Sequence, residues 1–214
     1  LCFMLVSFWA WRLTYNWARG WTGLDHEDWR YQDFREKTGA LYWPVSFLGI
    51  HLFPTLIVFA MCLPFWAIFN PTAGGFNLQL LDFLGLGLCF LGLFLETIAD
   101  DQMHGAKQRG LLKPGLVFRK GLWGISRHPN YLGELLFWWG VYAVGMAASP
   151  VYWWTFVGPL SLTLLFAFVS IPMMEKRQKT RKENYTEYQK EVPALIPWKM
   201  NNRVSHEQSS AGLE

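Results

Sequence analysis

Long apolar segments, separated by short polar ones, constrain the fold of this chain more than any other feature of its sequence. A helix needs about 20 mostly apolar residues to cross the hydrocarbon core of a bilayer. Five segments reach or approach that length, at residues 1–17, 41–69, 80–99, 131–148 and 152–174. Pro54 and Pro64 interrupt the second segment, which could be one kinked span or a tight pair. The pattern predicts an all-α fold of membrane-spanning helices.

The positive charges alternate along the chain and support this layout. Loops on the cytoplasmic side of a membrane carry the excess of Lys and Arg. The segments after the five apolar runs hold four, zero, six, zero and eight of these residues in turn. This alternation predicts a polytopic transmembrane helical bundle of about five spans, with the second run as a single crossing and a cytoplasmic C-terminus. Charged residues make up only 16% of the chain, against about 25% in soluble domains, which disfavours a soluble aromatic-rich enzyme.

The domain organisation follows from the same pattern. We expect residues 1–199 to form a single transmembrane domain and residues 200–214 to form a disordered polar tail. The chain starts at Leu1 and not at Met, which indicates that a natural N-terminal part is missing. The observed distribution of Lys and Arg fits a protein of the endoplasmic reticulum, the plastid or the bacterial inner membrane equally well. The prediction is therefore an integral membrane protein without a choice among these membranes.

Residues 121–134, GLWGISRHPNYLGE, place polar groups at the start of an uncharged apolar run. Pro129 suits the first turn of a helix, where its missing N–H costs nothing, so His128 would lie at or near the cap. Arg127 and His128 then lie just outside a helix N-terminus, a position that favours anions. The motif predicts a site for a phosphorylated or carboxylated ligand.

Asn130 and Glu134 extend this site into the predicted helix. They are four residues apart and therefore share one face of its first turn. Polar groups at the edge of a membrane are costly, so their presence indicates function. The alternative is a proline-initiated helix followed by an interfacial aromatic belt at Trp138 and Trp139, which does not explain a glutamate one turn into the span.

A second polar cluster lies at the end of the third apolar run. Glu96 and Asp100 are four residues apart on one helix face, and Lys107 falls near that face if the helix continues. Carboxylates at a helix C-terminus oppose the macrodipole, which disfavours them unless they bind something. The cluster could be a solvated helix end with an Asp–Lys pair, or a surface that accepts hydroxyl and amide hydrogen bonds from a ligand.

Several other kinds of site are not indicated. The chain has no Rossmann GxGxxG, no Walker loop and no HExxH sequence, and its three cysteines have no CxxC spacing. We therefore expect no metal centre and no nucleic-acid partner. The expected partners are the lipid bilayer and a hydrophobic small molecule.

Three motifs in order, ETIADDQMHGAK, GLWGISRHPNYLGE and YTEYQKEVPALIPW, resemble the C-terminal domain of steroid 5α-reductase-like membrane proteins. The likeness is greater to the branch of uncharacterised bacterial, algal and plant members with an SRHPNYxGE run, which the EDWRYQDFR segment also matches. It extends over residues 12–198. The resemblance implies a seven-helix bundle that uses NADPH, entering from the cytoplasmic side, to reduce a carbon–carbon double bond conjugated to a carbonyl.

The resemblance also implies roles for individual residues. Glu96 and Asp100 stand where the family's Asn and Asp meet the cofactor, and Lys107 stands where an Arg faces phosphate. Asn130 and Glu134 stand at the nicotinamide end, and an aromatic of the same pocket corresponds to Tyr131. Together with the residues predicted from the helix start, the expected cofactor-binding set is Glu96, Asp100, Lys107, Arg127, His128, Asn130, Tyr131 and Glu134.

The chain departs from the family's pattern in two places. The family's catalytic Glu and Tyr lie on N-terminal helices. The Glu helix is absent here, and Trp9 stands roughly where the Tyr would be. Arg12 does match an arginine of that region, and Tyr15 is the remaining candidate for the proton donor. Near the other end, Val192 replaces a basic residue of the steroid reductases, which puts a steroid substrate in doubt more than the reductase class.

Two other functions remain open at this level. Membrane S-adenosylmethionine-dependent methyltransferases of the isoprenylcysteine carboxyl type also carry an RHPxYxG helix start. They usually have a Glu-Glu pair where this chain has Glu175–Lys176, and they lack the ETIADDQ motif. The third possibility is a non-catalytic lipid-binding relative that keeps the fold.

Overall fold

A computed structural model describes residues 1–21, 23, 27–71 and 78–197, and every regular element in those ranges is helical. This confirms the predicted all-α class. The predicted polar tail, residues 200–214, lies outside the described residues. The α-helices are α1 (Cys2–Gly20), α2 (Trp29–Thr38), α3 (Tyr42–Ser46), α4 (Phe53–Phe69), α5 (Leu80–Gln108), α6 (Pro129–Ala148), α7 (Val157–Leu165), α8 (Ile171–Arg181) and α9 (Tyr185–Glu191).

Within the residues that the structure describes, three helical stretches are long and apolar enough to cross a membrane. They are Trp29–Phe69, Leu80–Gln108 and Pro150–Arg181, with 41, 29 and 32 residues. They contain the second, third and fifth predicted spans, and the protein is by this measure a helical membrane protein. The first and fourth predicted spans form α1 and α6, of 19 and 20 residues. The full number of five crossings stays a prediction.

A widened turn accommodates one of the prolines in the first of these stretches. Phe47–Leu52 forms a π-helical turn, and Pro54 follows in the first turn of α4. A proline inside a helix lacks a backbone N–H and clashes with a carbonyl four residues earlier, so a wider turn before it relieves the clash. Phe166–Ser170 and Pro172 repeat the arrangement between α7 and α8. The second predicted run is therefore one helical path.

The chain divides into two compact units, the first consisting of Leu1–Gly87 and Trp138–Leu162. Small residues allow close helix approach within this unit: a Cβ built on Gly145 would lie 3.1 Å from the Pro64 carbonyl oxygen. Trp9 of α1 packs edge-on against Trp138 of α6, with ring centroids 5.2 Å apart.

The second unit consists of Leu88–Phe137 and Thr163–Glu214. It contains every predicted cofactor-binding residue, whereas Tyr15 belongs to the first unit. The expectation of a single transmembrane domain over residues 1–199 stays a prediction.

Candidate functional site

The loop before α6 is attached to α5 by two hydrogen bonds. Gln102 Oε1 accepts from the Leu122 N–H at 2.9 Å, and Trp123 Nε1 donates to the Ala99 carbonyl at 3.0 Å. Gly121 has a φ of +61°, and a side chain there would also collide with Gln102. The positive φ therefore favours a glycine where the loop turns against α5.

Helix α6 begins at Pro129, as the sequence predicts. The Leu132 N–H donates to the His128 carbonyl at 3.1 Å, so His128 lies at the cap. The predicted helix start in the SRHPNY motif is confirmed.

Arg127 and His128 both direct their side chains toward Glu175 of α8. Glu175 Oε1 accepts from Arg127 Nε at 2.7 Å and from His128 Nε2 at 3.1 Å. Arg127 Nη1 also donates to the carbonyls of Gln189 and Val192, and Gln189 Nε2 donates to the second Glu175 oxygen. The Arg127 and Glu175 side chains are only 11% and 12% exposed, so this is a shielded charge pair.

The backbone before α6 is also occupied by the C-terminal segment. The N–H groups of Arg127 and His128 donate to the carbonyls of Pro193 and Ala194, both at 3.0 Å. Ser126 Oγ donates to the Ala194 carbonyl at 3.3 Å. Arg127 and His128 thus have partners inside the protein, and their predicted role in binding an anionic ligand stays a prediction. An anion would have to compete with Glu175 for Arg127.

Glu175 is a central residue of this cluster that sequence reasoning did not identify as part of the site. The sequence showed it at the end of the last apolar run, before the basic segment KRQKTRK. A buried carboxylate at that position requires a cationic partner, and this requirement is the signal from which a role for Glu175 could have been predicted. The choice of Arg127 as that partner depends on a contact 48 residues distant along the chain.

Close packing between two glycines joins the two polar clusters predicted from the sequence. A Cβ on Gly133 of α6 would lie 2.7 Å from the Gly92 carbonyl oxygen of α5 and 2.6 Å from Cγ of Glu96. Gly92 is equally crowded, because its own Cβ would lie 2.5 Å from the Gly133 carbonyl oxygen. The helices therefore touch through their backbones, and the buried Glu96 side chain lies beside the first turns of α6.

The remaining predicted residues surround this crossing with different exposure. Asn130 and Glu134 are half-buried on the first turns of α6. On α5, Asp100 is half-buried and Lys107 is exposed. Because α5 continues to Gln108, Lys107 does share a helix with Asp100, as required for a common face.

Tyr131 lies in the middle of a ring stack. Its ring is 5.4 Å from that of His128 and 4.3 Å from that of Phe166, with interplanar angles of 19° and 21°. The stack gives the start of α6 an aromatic wall that extends to the helical segment before α8.

Residues of the predicted catalytic region lie on α1, in the first unit. Tyr15 is 53% exposed, stacks on Trp11 at 5.6 Å, and lies under the Arg19 guanidinium. Arg12, three residues earlier, is buried. The role of Tyr15 as a proton donor stays a prediction.

Val192, which stands where the steroid reductases have a basic residue, has a packing role in this structure. It is buried in a cluster with Tyr185 and Tyr188, against Val117. Tyr188 O–H donates to the carbonyls of Trp123 and Ser126, so this cluster supports the loop before α6. A charged side chain at position 192 would be buried among aromatic rings.

The residues described by the structure contain no group of three or more His, Cys, Asp or Glu placed to hold a metal ion. The fold and the cluster define a helical membrane protein with a shielded polar site where α5 meets the start of α6. The chain belongs to the family described as "Protein of unknown function (DUF1295)", whose model matches residues 1–192.

One relative comes from Schizosaccharomyces pombe (strain 972 / ATCC 24843), "Uncharacterized protein C594.04c". The two sequences are 29% identical over an alignment of 214 residues, and the matched region covers 90% of this chain and 61% of that protein. The chain therefore spans about three fifths of the curated relative's length. No solved structure matches the chain.

Proposed function

We propose that this protein is an integral membrane reductase that uses NADPH to reduce a carbon–carbon double bond conjugated to a carbonyl in a lipid or steroid-like substrate. The chain belongs to the DUF1295 family and resembles steroid 5α-reductase-like proteins in three motifs. The proposal assigns to it the activity that this resemblance implies. The observation that carries it is the Gly92–Gly133 contact, which brings buried Glu96 beside the helix turns that bear Asn130 and Glu134.

The chemistry of these side chains fits the proposed cofactor. The Asn130 amide and the carboxylates of Glu96, Asp100 and Glu134 match the carboxamide and ribose hydroxyls of a dinucleotide, because amides both donate and accept and carboxylates accept. Exposed Lys107 offers a cation for a phosphate. When bound, NADPH supplies the hydride, whereas the protein supplies binding and orientation.

Arg127 and His128 have a supporting part in this proposal. Because Glu175 holds both side chains, we expect them to keep the first turn of α6, and with it Asn130, in place. The ring of Tyr131 is held between His128 and Phe166, where it forms an aromatic wall for the pocket. The apolar helices supply the environment for a hydrophobic substrate.

Ligand-dependent thermal stability tests this function. We expect NADPH to raise the Tm of the detergent-purified protein, because a ligand that binds only the folded state stabilises it by mass action. S-adenosylmethionine is the comparison ligand for the methyltransferase alternative. A Tm increase with S-adenosylmethionine and none with NADPH would refute the reductase proposal, and no increase with either would favour the non-catalytic relative.

Variants locate the cofactor. Asn130→Ala and Glu134→Gln should abolish the NADPH-dependent increase in Tm while the ligand-free Tm changes little. Glu183→Gln is the matched control, because Glu183 is an exposed glutamate in the loop after α8. If both α6 variants bind NADPH as the unmodified protein does, the pocket has been assigned to the wrong helix face.

A further inference from the structure

The face of α5 turned away from Glu96, Asp100 and Lys107 lines a second polar cleft. Its α5 residues include Ile98, Asp101, Gln102, Gly105 and Ala106, whose spacing follows one helical stripe. With about 100° of rotation per residue, this stripe lies roughly 180° around the helix from the Glu96 stripe. The cleft is therefore separate from the proposed cofactor site.

A glycine-capped turn forms one wall of the cleft. At the end of α5 the Leu111 N–H donates to the Ala106 carbonyl at 2.9 Å, and the Gly110 N–H donates to the Lys107 carbonyl at 3.2 Å. Gly110 has a φ of +66°. These are the features of a Schellman motif, which folds the chain back on the last helical turn. The fold-back brings Leu111 to the cleft, where it lies 46% exposed.

The opposite wall comes from the loop that is hydrogen-bonded to α5. Phe118 and Lys120 line the cleft just before the turn at Gly121. That turn is held by the hydrogen bond between Gln102 Oε1 and the Leu122 N–H. Lys120 is thus carried on an ordered segment.

Two cations lie in this cleft beside apolar side chains that are exposed, as Leu111 is, or half-buried, as Ile98 and Phe118 are. Arg109 and Lys120 both line it, and within the described part of the chain neither side chain forms an ion pair or hydrogen bond. Asp101 adds one negative charge, so the charged side chains of the cleft sum to one positive charge. Its volume of about 450 Å³ is within the range of ligand-binding clefts, roughly 300–1,000 Å³.

The position of the cleft along α5 indicates the kind of ligand. The 29 residues of α5 extend about 44 Å at about 1.5 Å per residue, which exceeds the roughly 30 Å hydrocarbon core of a bilayer. Its polar end therefore reaches the headgroup region. A ligand at this depth that satisfies two cations and an apolar wall is an anionic amphiphile.

We propose that Arg109 and Lys120 bind the phosphate of an anionic phospholipid, with its glycerol and first acyl carbons against Ile98, Leu111 and Phe118. A phospholipid headgroup and free phosphate both offer a phosphate group to the two cations, and the apolar wall favours the lipid over free phosphate. This site goes beyond the proposed reductase activity and does not depend on it.

The test uses the full chain purified in an uncharged detergent, with short-chain phosphatidic acid, short-chain phosphatidylcholine and inorganic phosphate as probes of binding. We expect phosphatidic acid to bind more tightly than the other two. Arg109→Gln with Lys120→Gln should weaken its binding at least roughly tenfold, because each change removes a charge-assisted contact. Ligand-free Tm should stay unchanged, since both side chains are exposed.

Two controls separate this site from its surroundings. Lys113→Gln removes an exposed cation from the same connection without touching the cleft, so it should leave phosphatidic acid binding intact. Lys107→Gln should weaken NADPH binding and leave phosphatidic acid binding intact, whereas the Arg109/Lys120 double variant should do the reverse.

Three results would overturn the lipid site. The first is equal binding of inorganic phosphate and phosphatidic acid. The second is an equal loss of phosphatidic acid binding in the Lys113→Gln variant and in the Arg109/Lys120 double variant. The third is loss of NADPH binding in the double variant. The last result would assign the cleft to the dinucleotide.

Discussion

Glu175 Oε1 lies 2.7 Å from Arg127 Nε, and this ion pair joins α8 to the residue two positions before α6. The same oxygen lies 3.1 Å from His128 Nε2. Because the carbonyls of Gln189 and Val192 accept from the same guanidinium, three separate segments meet at Arg127. The start of α6 is therefore held by the C-terminal part of the chain.

Glu175→Gln should destabilise the protein strongly, because it leaves the shielded Arg127 guanidinium without its counter-charge. Removing one partner of a buried ion pair costs about 3–5 kcal/mol, and the partial exposure of this pair puts the expected loss at the lower end. Denaturant unfolding in detergent, followed by tryptophan fluorescence, measures the free energy of unfolding.

Lys176→Gln is the control for that prediction, because it changes an exposed charge on the adjacent residue. It should change the free energy of unfolding by no more than about 0.5 kcal/mol. Equal effects of Glu175→Gln and Lys176→Gln would mean that the Arg127 pair contributes no stability of its own.

The local features of this site could be predicted from sequence, because each depends on neighbouring residues. The start of α6 at Pro129 follows from the fixed φ and missing N–H of proline. The shared face of Glu96 and Asp100 follows from their spacing of four residues on one helix. The continuation of α5 to Lys107 stayed conditional, because Gly105 lowers the helix propensity before the turn at Gly110.

Long-range features could not be predicted in this way. The Arg127–Glu175 pair joins residues 48 positions apart, and no local pattern specifies which loop returns to which helix. α2 lies in the polar segment between the first two apolar runs, and its many charged residues, including the Asp33–Lys37 pair, leave no long apolar run that would predict a helix there. The contact between Gly92 and Gly133 likewise requires knowing that these two helices cross.

Gly133→Ala should separate α5 from α6. Its Cβ would lie 2.6 Å from Glu96 Cγ and 2.7 Å from the Gly92 carbonyl oxygen, and the backbone atom cannot move independently of its helix. Overpacking of this kind costs about 1–3 kcal/mol. Denaturant unfolding should show that loss, and NADPH titration should show weaker binding.

Gly87→Ala is the matched control on α5, where a Cβ would meet nothing within 4 Å. Replacing this helical glycine should stabilise the protein by up to about 1 kcal/mol, because alanine loses less backbone freedom on folding. A Gly133→Ala variant as stable as the Gly87→Ala variant would contradict the close crossing at Gly133.

The tyrosines under the C-terminal segment should make the protein sensitive to alkali. Burial, reinforced by the negative charge of Glu175, raises the pKa of Tyr185 above its ordinary value of 10, and burial also raises the pKa of Tyr188. Above about pH 10 the unfolded chain releases protons that the folded protein retains. Stability is therefore complete below that pH and decreases as the pH rises above it.

Phenylalanine variants distinguish the two tyrosines. Tyr185→Phe should reduce the alkaline loss of Tm. Tyr188→Phe should also lower Tm at neutral pH, because it removes the hydrogen bonds to the carbonyls of Trp123 and Ser126. An unchanged alkaline loss in the double variant would show that other groups cause it.

Gly110→Ala tests the turn that shapes the cleft beside α5. Gly110 has a φ of +66°, and an L side chain in that region costs about 1–2 kcal/mol, so the free energy of unfolding should fall by that amount. Gly105→Ala, in the same last turns of α5 but with helical backbone and open space, should be neutral or stabilising.

Because the Gly110 turn folds Leu111 back toward Ala106, Gly110→Ala should also weaken phosphatidic acid binding. Lower stability with unchanged lipid affinity would show that the Leu111 wall does not contact the lipid.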